Sequence, residues 1–425
     1  MLIEFSVGNY KSFKEEVTLS MVASRLTSQN KELDANTVFP VNEDTSLLTS
    51  AAVYGANASG KSNLVAAMRF MREFVLESSK DTQAGESIPV EQYALSPETL
   101  SQPASFEMVF IAEGIQYRYG FEVTPKQVEH EWLYHVPKSR EIRLFERRQD
   151  KIIFVKDSFP EGDGLQEKTR SNALFLSVVA QFNGSISTKL LKWFNLYTII
   201  LGLQDYLLRK KTIPRLEQPD RADEIISFVK SFDIGISYIE LKQKRSILRE
   251  FTETAQGEIN DITPVEYNIK TSHRVFTNKG EETTLVTFDL DNQESEGTKK
   301  IISLAGQLLD NLHTGNQLVI DEFDARLHPL ITREIIRLFN STETNPRHAQ
   351  LIFMTHDTNL LDKDFLRRDQ IWFTEKDRFG ASHLYSLAEF KVRNDASYGK
   401  DYIQGKYGAI PFLGDLRRIV EEVNA

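Results

Sequence analysis

The chain contains no cysteine, which excludes disulfides, thiolate metal sites and cysteine nucleophiles. Its eight histidines show no HExxH or comparable ligand spacing, and no fixed-period repeat is visible. Long apolar runs are also missing. The longest, around Ile199 to Leu203, falls far short of the ~20 residues a membrane span needs. The opening MLIEFSVGNYKSFKEE mixes acid with base and has no apolar stretch of signal length. A soluble cytoplasmic protein with no membrane partner is therefore the expectation. Acidic residues outnumber basic ones, 61 to 51, for a formal net charge of -10. That balance opposes indiscriminate attraction to a polyphosphate backbone. Basic clusters at Arg209, Lys210 and Lys211 and from Arg140 to Arg148 leave local nucleic-acid contact open, beside the plainer reading of solvated faces.

What is present is 425 residues, 40% hydrophobic and 26% charged, enough for a large core and long for one compact domain. LIEFSVGNYKSF reads as a strand and turn, and Leu47 to Tyr54 as a buried strand running into a glycine-rich loop. From Lys61, apolar residues at Leu64, Ala67, Met68, Met71 and Phe74 follow a 3.6-residue period, so a helix follows the loop. Phe106 to Val123 alternates around Glu113-Gly114 as a hairpin does, and Trp132 to Phe154 continues in strand-like runs. Residues 168 to 250 take on helical spacing, broken by Pro214 and Pro219 in a polar linker. Strand signals over Val275 to Leu290, a helix over Thr298 to Leu312 and a strand over Gln317 to Ile320 come next. They are followed by a helix over Pro329 to Phe339, a strand over Gln350 to Thr355 and a final strand over Gln370 to Thr374. This order predicts an α/β fold with a mixed sheet, an antiparallel β lobe and a helical insertion. The expected division is 1–165, 166–262 as the insertion, and 263–425.

Gly55-Ala56-Asn57-Ala58-Ser59-Gly60-Lys61-Ser62 matches the phosphate-binding P-loop pattern in full, with Asn63 next. Such a loop curls backbone N–H groups around the β-phosphate, its lysine reaches the β and γ oxygens, and its serine holds magnesium. Leu318-Val319-Ile320-Asp321-Glu322 has the form of a Walker B strand. Asp321 would lie near magnesium and Glu322 would orient and deprotonate the attacking water. Two flanking features point to the ABC type. Ser295-Glu296-Gly297 opens a helix upstream of Asp321, where a hydroxyl and N–H groups can meet a γ-phosphate; a plain helix cap is the alternative. Thr355-His356-Asp357 ends the next apolar strand, where His356 can sense that phosphate. Asp324 stands in the D-loop position and would contact a partner's site, while His328 either serves there or caps the following helix. Gln92 is the candidate Q-loop glutamine, linking magnesium to the helical lobe.

The order P-loop, antiparallel lobe, helical insert, Ser-Glu-Gly, Asp-Glu and Thr-His resembles the RloA and AbiL type of ABC ATPases, a prokaryotic family of phage-defence loci with an SMC-like head. The resemblance rests on GANASGKSN (55 to 63), YRYGFEV (117 to 123), EWLYHVPKSREIRLFER (131 to 147), NALFLSVVAQFN (172 to 183), SEGTKK (295 to 300), LVIDEFDARLHP (318 to 329), THD (355 to 357), DQIWFTEKD (369 to 377) and GKYGAIPFLG (405 to 414). Asn9, Lys11, Ser12 and Phe13 resemble the strand-turn that borders the nucleotide in RecF heads. The resemblance implies an ATP-binding and hydrolysing sensor or scaffold using magnesium, with Lys11 and Ser12 beside the nucleotide. It implies a homodimer or higher homo-oligomer, up to a hexamer, in which one copy's Ser295, Gly297 and Asp324 complete the other's pocket. It further implies a separate effector, an RloB-like or Toprim-type nuclease such as the one a related ATPase restrains in the PARIS defence system. A DNA-associated maintenance ATPase of RecF or SMC kind, a transporter ATPase subunit, disfavoured by Ser-Glu-Gly in place of LSGGQ and by the large insert, and a nucleotide-gated scaffold with little turnover are the competing readings.

Overall fold

The computed structural model describes residues 1–80, 83, 85–202, 205–244, 250–253, 259–262, 266–393 and 395–411. The chain forms two compact units. Met1–Gly202, Thr314–Asp324 and Arg333–Ala425 make the first, and Leu203–His313 with Ala325–Thr332 make the second.

In chain order the strands of the first unit's two large sheets are β1 (Leu2–Gly8), β2 (Val17–Ser20), β3 (Ser50–Tyr54), β4 (Ala104–Ala112), β5 (Ile115–Val123), β6 (Val128–Val136), β7 (Ile142–Arg148), β8 (Lys151–Phe154), β9 (Thr198–Ile200), β10 (Gln317–Ile320), β11 (Gln350–Met354), β12 (Ile371–Lys376) and β13 (Ser382–Ser386). Seven of them form an antiparallel sheet in the order β8-β7-β6-β5-β4-β1-β2, and six form the sheet β9-β10-β11-β3-β12-β13. In the second sheet all pairs are parallel except β12 with β13. Strands β3, β10 and β11 are buried throughout, which explains their unbroken apolar runs: a central parallel strand has no solvent face. The β4–β5 hairpin closes at Glu113 and Gly114, both at positive φ (48° and 80°), as a two-residue primed turn requires.

Helix α1 (Lys61–Glu77) starts at the loop after β3 and buries Leu64, Met68, Met71 and Val75. Phe70 meets Phe106 of the antiparallel sheet in a tilted ring pair at 4.9 Å, and Phe74 meets Phe121 edge to face at 5.4 Å. The same core therefore fixes both the loop's helix and the lobe. Helix α2 (Phe175–Gln181) is pinned by the buried Glu131, whose carboxylate accepts the N–H groups of Phe175 and Leu176 at 2.7 and 3.0 Å. Helix α3 (Ser185–Leu196) follows it.

The second unit carries helices Asp205–Leu216, Pro219–Lys230 and Glu296–Thr314. Its three-stranded antiparallel sheet has Glu266–Phe276 between Ile236–Lys244 and Glu282–Asp289.

Several elements differ from expectation. Within the stretch read as helical, Thr198–Ile200 is a strand paired with β10, since β-branched residues favour a buried pleat over a helix. The segment 166–262 also turns to strand at Ile236–Lys244, Glu250–Glu253 and Ile259–Ile262. Pro214 does not break its helix. It lies inside Asp205–Leu216 two residues from the end, while Pro219 takes the first turn of the next helix, where no N–H is needed. The strand signals from Val275 to Leu290 fall on a hairpin turning through Gly280. Gln370–Thr374 is not the last strand, because β13 pairs beyond it. Of GKYGAIPFLG, residues 412 to 414 lie outside the described residues.

Candidate functional site

The loop between β3 and α1 is locked in place by its own backbone and by distant hydroxyls. The Ser59 N–H donates to the Ala56 carbonyl at 3.2 Å. Ala58 at φ 61° and Gly60 at φ 122° adopt backbone conformations that curl the chain. A Cβ on Gly55 would come within 2.4 Å of the Thr374 carbonyl, so only glycine fits there. Lys61 is buried, and its ammonium donates to the carbonyls of Gly55 and Ala56 at 2.7 and 3.1 Å. Burial pushes its pKa down to about 8, against the opposing pull of the carboxylates of Asp321, Asp324 and Glu322.

Those carboxylates come from the segment after β10. Asp321 is buried, its N–H donates to the Ile200 carbonyl at 2.9 Å, and its Oδ1 accepts the Glu322 N–H at 3.0 Å. Glu322 sits at φ 49°, and its Oε2 would be 3.8 Å from a Cβ built on Gly202. From β11, His356 donates its backbone N–H to Asp324 at 3.4 Å. Burial lowers the His356 pKa, and the Lys61 ammonium lowers it further, so the ring is neutral at pH 7. Asn57, Ala58, Lys61, Ser62, Asp321, Glu322, Met354 and His356 line one open cleft of about 260 Å³.

Other expected site residues are arranged differently. Ser59 and Asn63 turn their side chains to Thr374 and Ser12, at 2.6 and 2.7 Å. Lys11 pairs with Glu91 at 2.7 Å. Gln92 does not line the cleft; its amide donates to the Gln102 carbonyl at 2.7 Å, on a loop held by Asn9. In the second unit, Ser295 caps its helix by accepting the Thr298 N–H at 3.1 Å. Gly297 packs so tightly that a Cβ would meet the Arg326 carbonyl at 2.8 Å. The buried Lys300 donates to the Ala325 carbonyl at 2.8 Å. His328 is a cap, its Nδ1 accepting the Leu330 N–H at 3.2 Å.

The basic clusters are largely spent within the chain. Arg147 is buried and donates to the carbonyls of Gln149, Ala173 and Arg170, Arg143 and Arg148 pair with Glu146, and Arg209 pairs with Asp291. Sequence reasoning missed Met354, which only its place beside Thr355-His356 could have flagged, and Thr374 and Ser382, which carry no local signal.

A glycine-rich loop between a buried parallel strand and a helix, facing two carboxylates at the end of the next strand but one in the same sheet, defines a P-loop ATPase fold. The family model described as "AAA domain, putative AbiEii toxin, Type IV TA system" matches residues 50–362, and the chain belongs to that family. No curated protein is matched. Among solved structures the chain is similar to the SMC head domain from Thermotoga maritima, with 15% identity over 91% of this chain and 98% of that one and a TM-score of 0.39. It is also similar to the recombination mediator protein RecF with ATP in the RecFOR pathway, with 13% identity over 84% of this chain and 93% of that one and a TM-score of 0.28. No helix among the described residues is long and apolar enough to cross a membrane.

Proposed function

We propose that the chain binds ATP in this cleft and hydrolyses it, and that nucleotide occupancy controls a separate effector, a nuclease in a phage-defence or toxin–antitoxin locus. The observation that carries the ATPase reading is the convergence of Lys61, Ser62, Asp321, Glu322 and His356 on one cleft. The family's description as a putative AbiEii toxin of a type IV toxin–antitoxin system supports the toxin–antitoxin setting.

In this reading Lys61 leaves the Gly55 and Ala56 carbonyls for the β and γ oxygens. Glu322 orients a water and takes its proton as the water oxygen bonds to the γ-phosphorus; the bond to the β–γ bridging oxygen breaks and ADP leaves. The neutral His356 donates a hydrogen bond to a γ oxygen. Ser62 and Asp321 offer hard oxygen donors, and no cluster of three or more His, Cys, Asp or Glu able to hold a metal occurs among the described residues. That donor set fits magnesium, which takes few protein ligands and completes its shell with phosphate oxygens and water. Magnesium held there would neutralise charge on the β- and γ-phosphates.

A second copy would bring Ser295, Gly297 and Asp324 to the triphosphate. Subunit mixing tests this directly. Lys61→Ala and Ser295→Arg should each abolish turnover, and mixing the two should restore part of it, because the hybrid has one intact composite pocket. Two well-folded variants that stay inactive when mixed would remove the composite site.

A further inference from the structure

The P-loop is held from behind by side chains far from it in sequence. Ser382, the first residue of β13, has its Oγ 2.6 Å from the Ser59 carbonyl oxygen and 2.8 Å from Ser12 Oγ. Ser12 Oγ accepts from Asn63 Nδ2 at 2.7 Å, and the Ser382 N–H donates to the Ser12 carbonyl at 2.7 Å. Each hydroxyl has one proton, so this chain of bonds has one direction: Asn63 to Ser12, Ser12 to Ser382, and Ser382 to the Ser59 carbonyl. Thr374 closes the other side. Its Oγ1 donates to the Tyr54 carbonyl at 3.3 Å and accepts from Ser59 Oγ at 2.6 Å.

A trans peptide is planar and carries its N–H and C=O on opposite sides, and no cis bond occurs among the described residues. Because the Ser59 carbonyl faces Ser382, the Gly60 N–H of the same peptide faces away from it. Among the described residues no backbone or side-chain acceptor meets that N–H. A Cβ at Gly60 would lie 2.5 Å from Ser382 Oγ, so glycine there and serine at 382 are fitted to each other.

The geometry points to Ser382 as a positioning residue that, backed by Ser12, fixes the 59–60 peptide and aims the Gly60 N–H at the β-phosphate of a bound nucleotide. This rests on the nucleotide reading proposed above. It also gives Ser12 a different task from the direct contact expected of it: its hydroxyl is engaged with Asn63 and Ser382.

Calorimetric titration with ADP and with a non-hydrolysable ATP analogue tests the assignment. Ser382→Ala should raise Kd roughly 10- to 100-fold for both ligands, the worth of one hydrogen bond to a charged group. The number of sites per chain should stay at the parental value. Ser382→Thr, which keeps the hydroxyl, should recover part of the loss. A merely structural role would instead lower the number of competent sites and leave Kd alone, and that outcome, or a Kd within twofold of the parent, overturns the proposal. If Ser382→Ala fails to fold, Ser12→Ala cuts the previous link and should weaken both ligands in the same proportion; unchanged affinity there also overturns it. A parent protein that binds neither ligand would remove the nucleotide reading and this one with it, whereas a binding parent with an equally tight variant removes this one alone.

Discussion

Raising the pH from 7.5 to 9.5 should weaken ATP binding roughly 20-fold, and the cause is the state of Lys61 before the nucleotide arrives. Burial holds its pKa down to about 8, and the carboxylates of Asp321, Asp324 and Glu322 only partly offset it. A triphosphate brings several negative charges to the ammonium and should return its pKa at least to the ordinary 10.5. Above pH 8 the free protein has lost this proton and the complex keeps it, so binding must take one up. Affinity then falls by up to tenfold per pH unit, which over this interval amounts to about 1.8 kcal/mol once rounding near the midpoint is included. His356 does not contribute, since burial and Lys61 hold it neutral throughout the window. The assay is calorimetric titration of a non-hydrolysable ATP analogue in two buffers of different ionisation enthalpy, which counts protons directly; uptake should approach one at pH 9. Lys61→Met should bind more weakly at pH 7.5 and lose the slope. A parental Kd that is flat from pH 7.5 to 9.5, or a slope that survives in Lys61→Met, would refute the reasoning.

Glu322→Gln should keep nucleotide affinity and lower turnover by about 100-fold or more, the usual worth of a positioned general base; phosphate release at the parental rate would assign the base elsewhere. Gly60→Ala should destabilise the nucleotide-free protein by roughly 1–3 kcal/mol in denaturant titration and abolish ATP binding, because the new methyl meets Ser382 Oγ at a strained φ of 122°. Arg147→Met should cost about 3–5 kcal/mol by the same titration, since it leaves the fully buried Glu131 without its cation at 3.8 Å. An unchanged midpoint there would mean that Glu131 is neutral in the native state, the direction in which burial pushes it.

The parts of the site legible in the sequence are those whose chemistry is local. Gly55 to Ser62 can be read because neighbouring residues shape the loop, and Asp321-Glu322 because an apolar strand stops there. Ser382 and Thr374 could not be read, since they reach Ser59 across 323 and 315 residues through the pairing of β12 with β3 and β13. The surroundings of Gln92 could not be read, because a lone glutamine carries no pattern and its environment is set by Asn9 and Gln102 rather than by its neighbours. Thr198–Ile200 was hidden for a related reason. A threonine and two isoleucines fit either period, and only pairing with β10 makes them a strand.

Chain connectivity joins the second unit to the residues around the cleft's carboxylates. The first unit is left after Gly202, two residues past the carbonyl that holds Asp321, and again after Asp324, two residues past Glu322. Both departures follow directly on strands β9 and β10, whose ends carry or support the cleft's carboxylates. Within the second unit, the segment received at Ala325 and Arg326 is held by Lys300 and Glu296, and it abuts Gly297. The Ser-Glu-Gly helix is therefore bonded to the residues next in sequence after Asp324. Two peptide bonds separate Asp324, the last residue of the first unit's segment, from Arg326, which that helix holds.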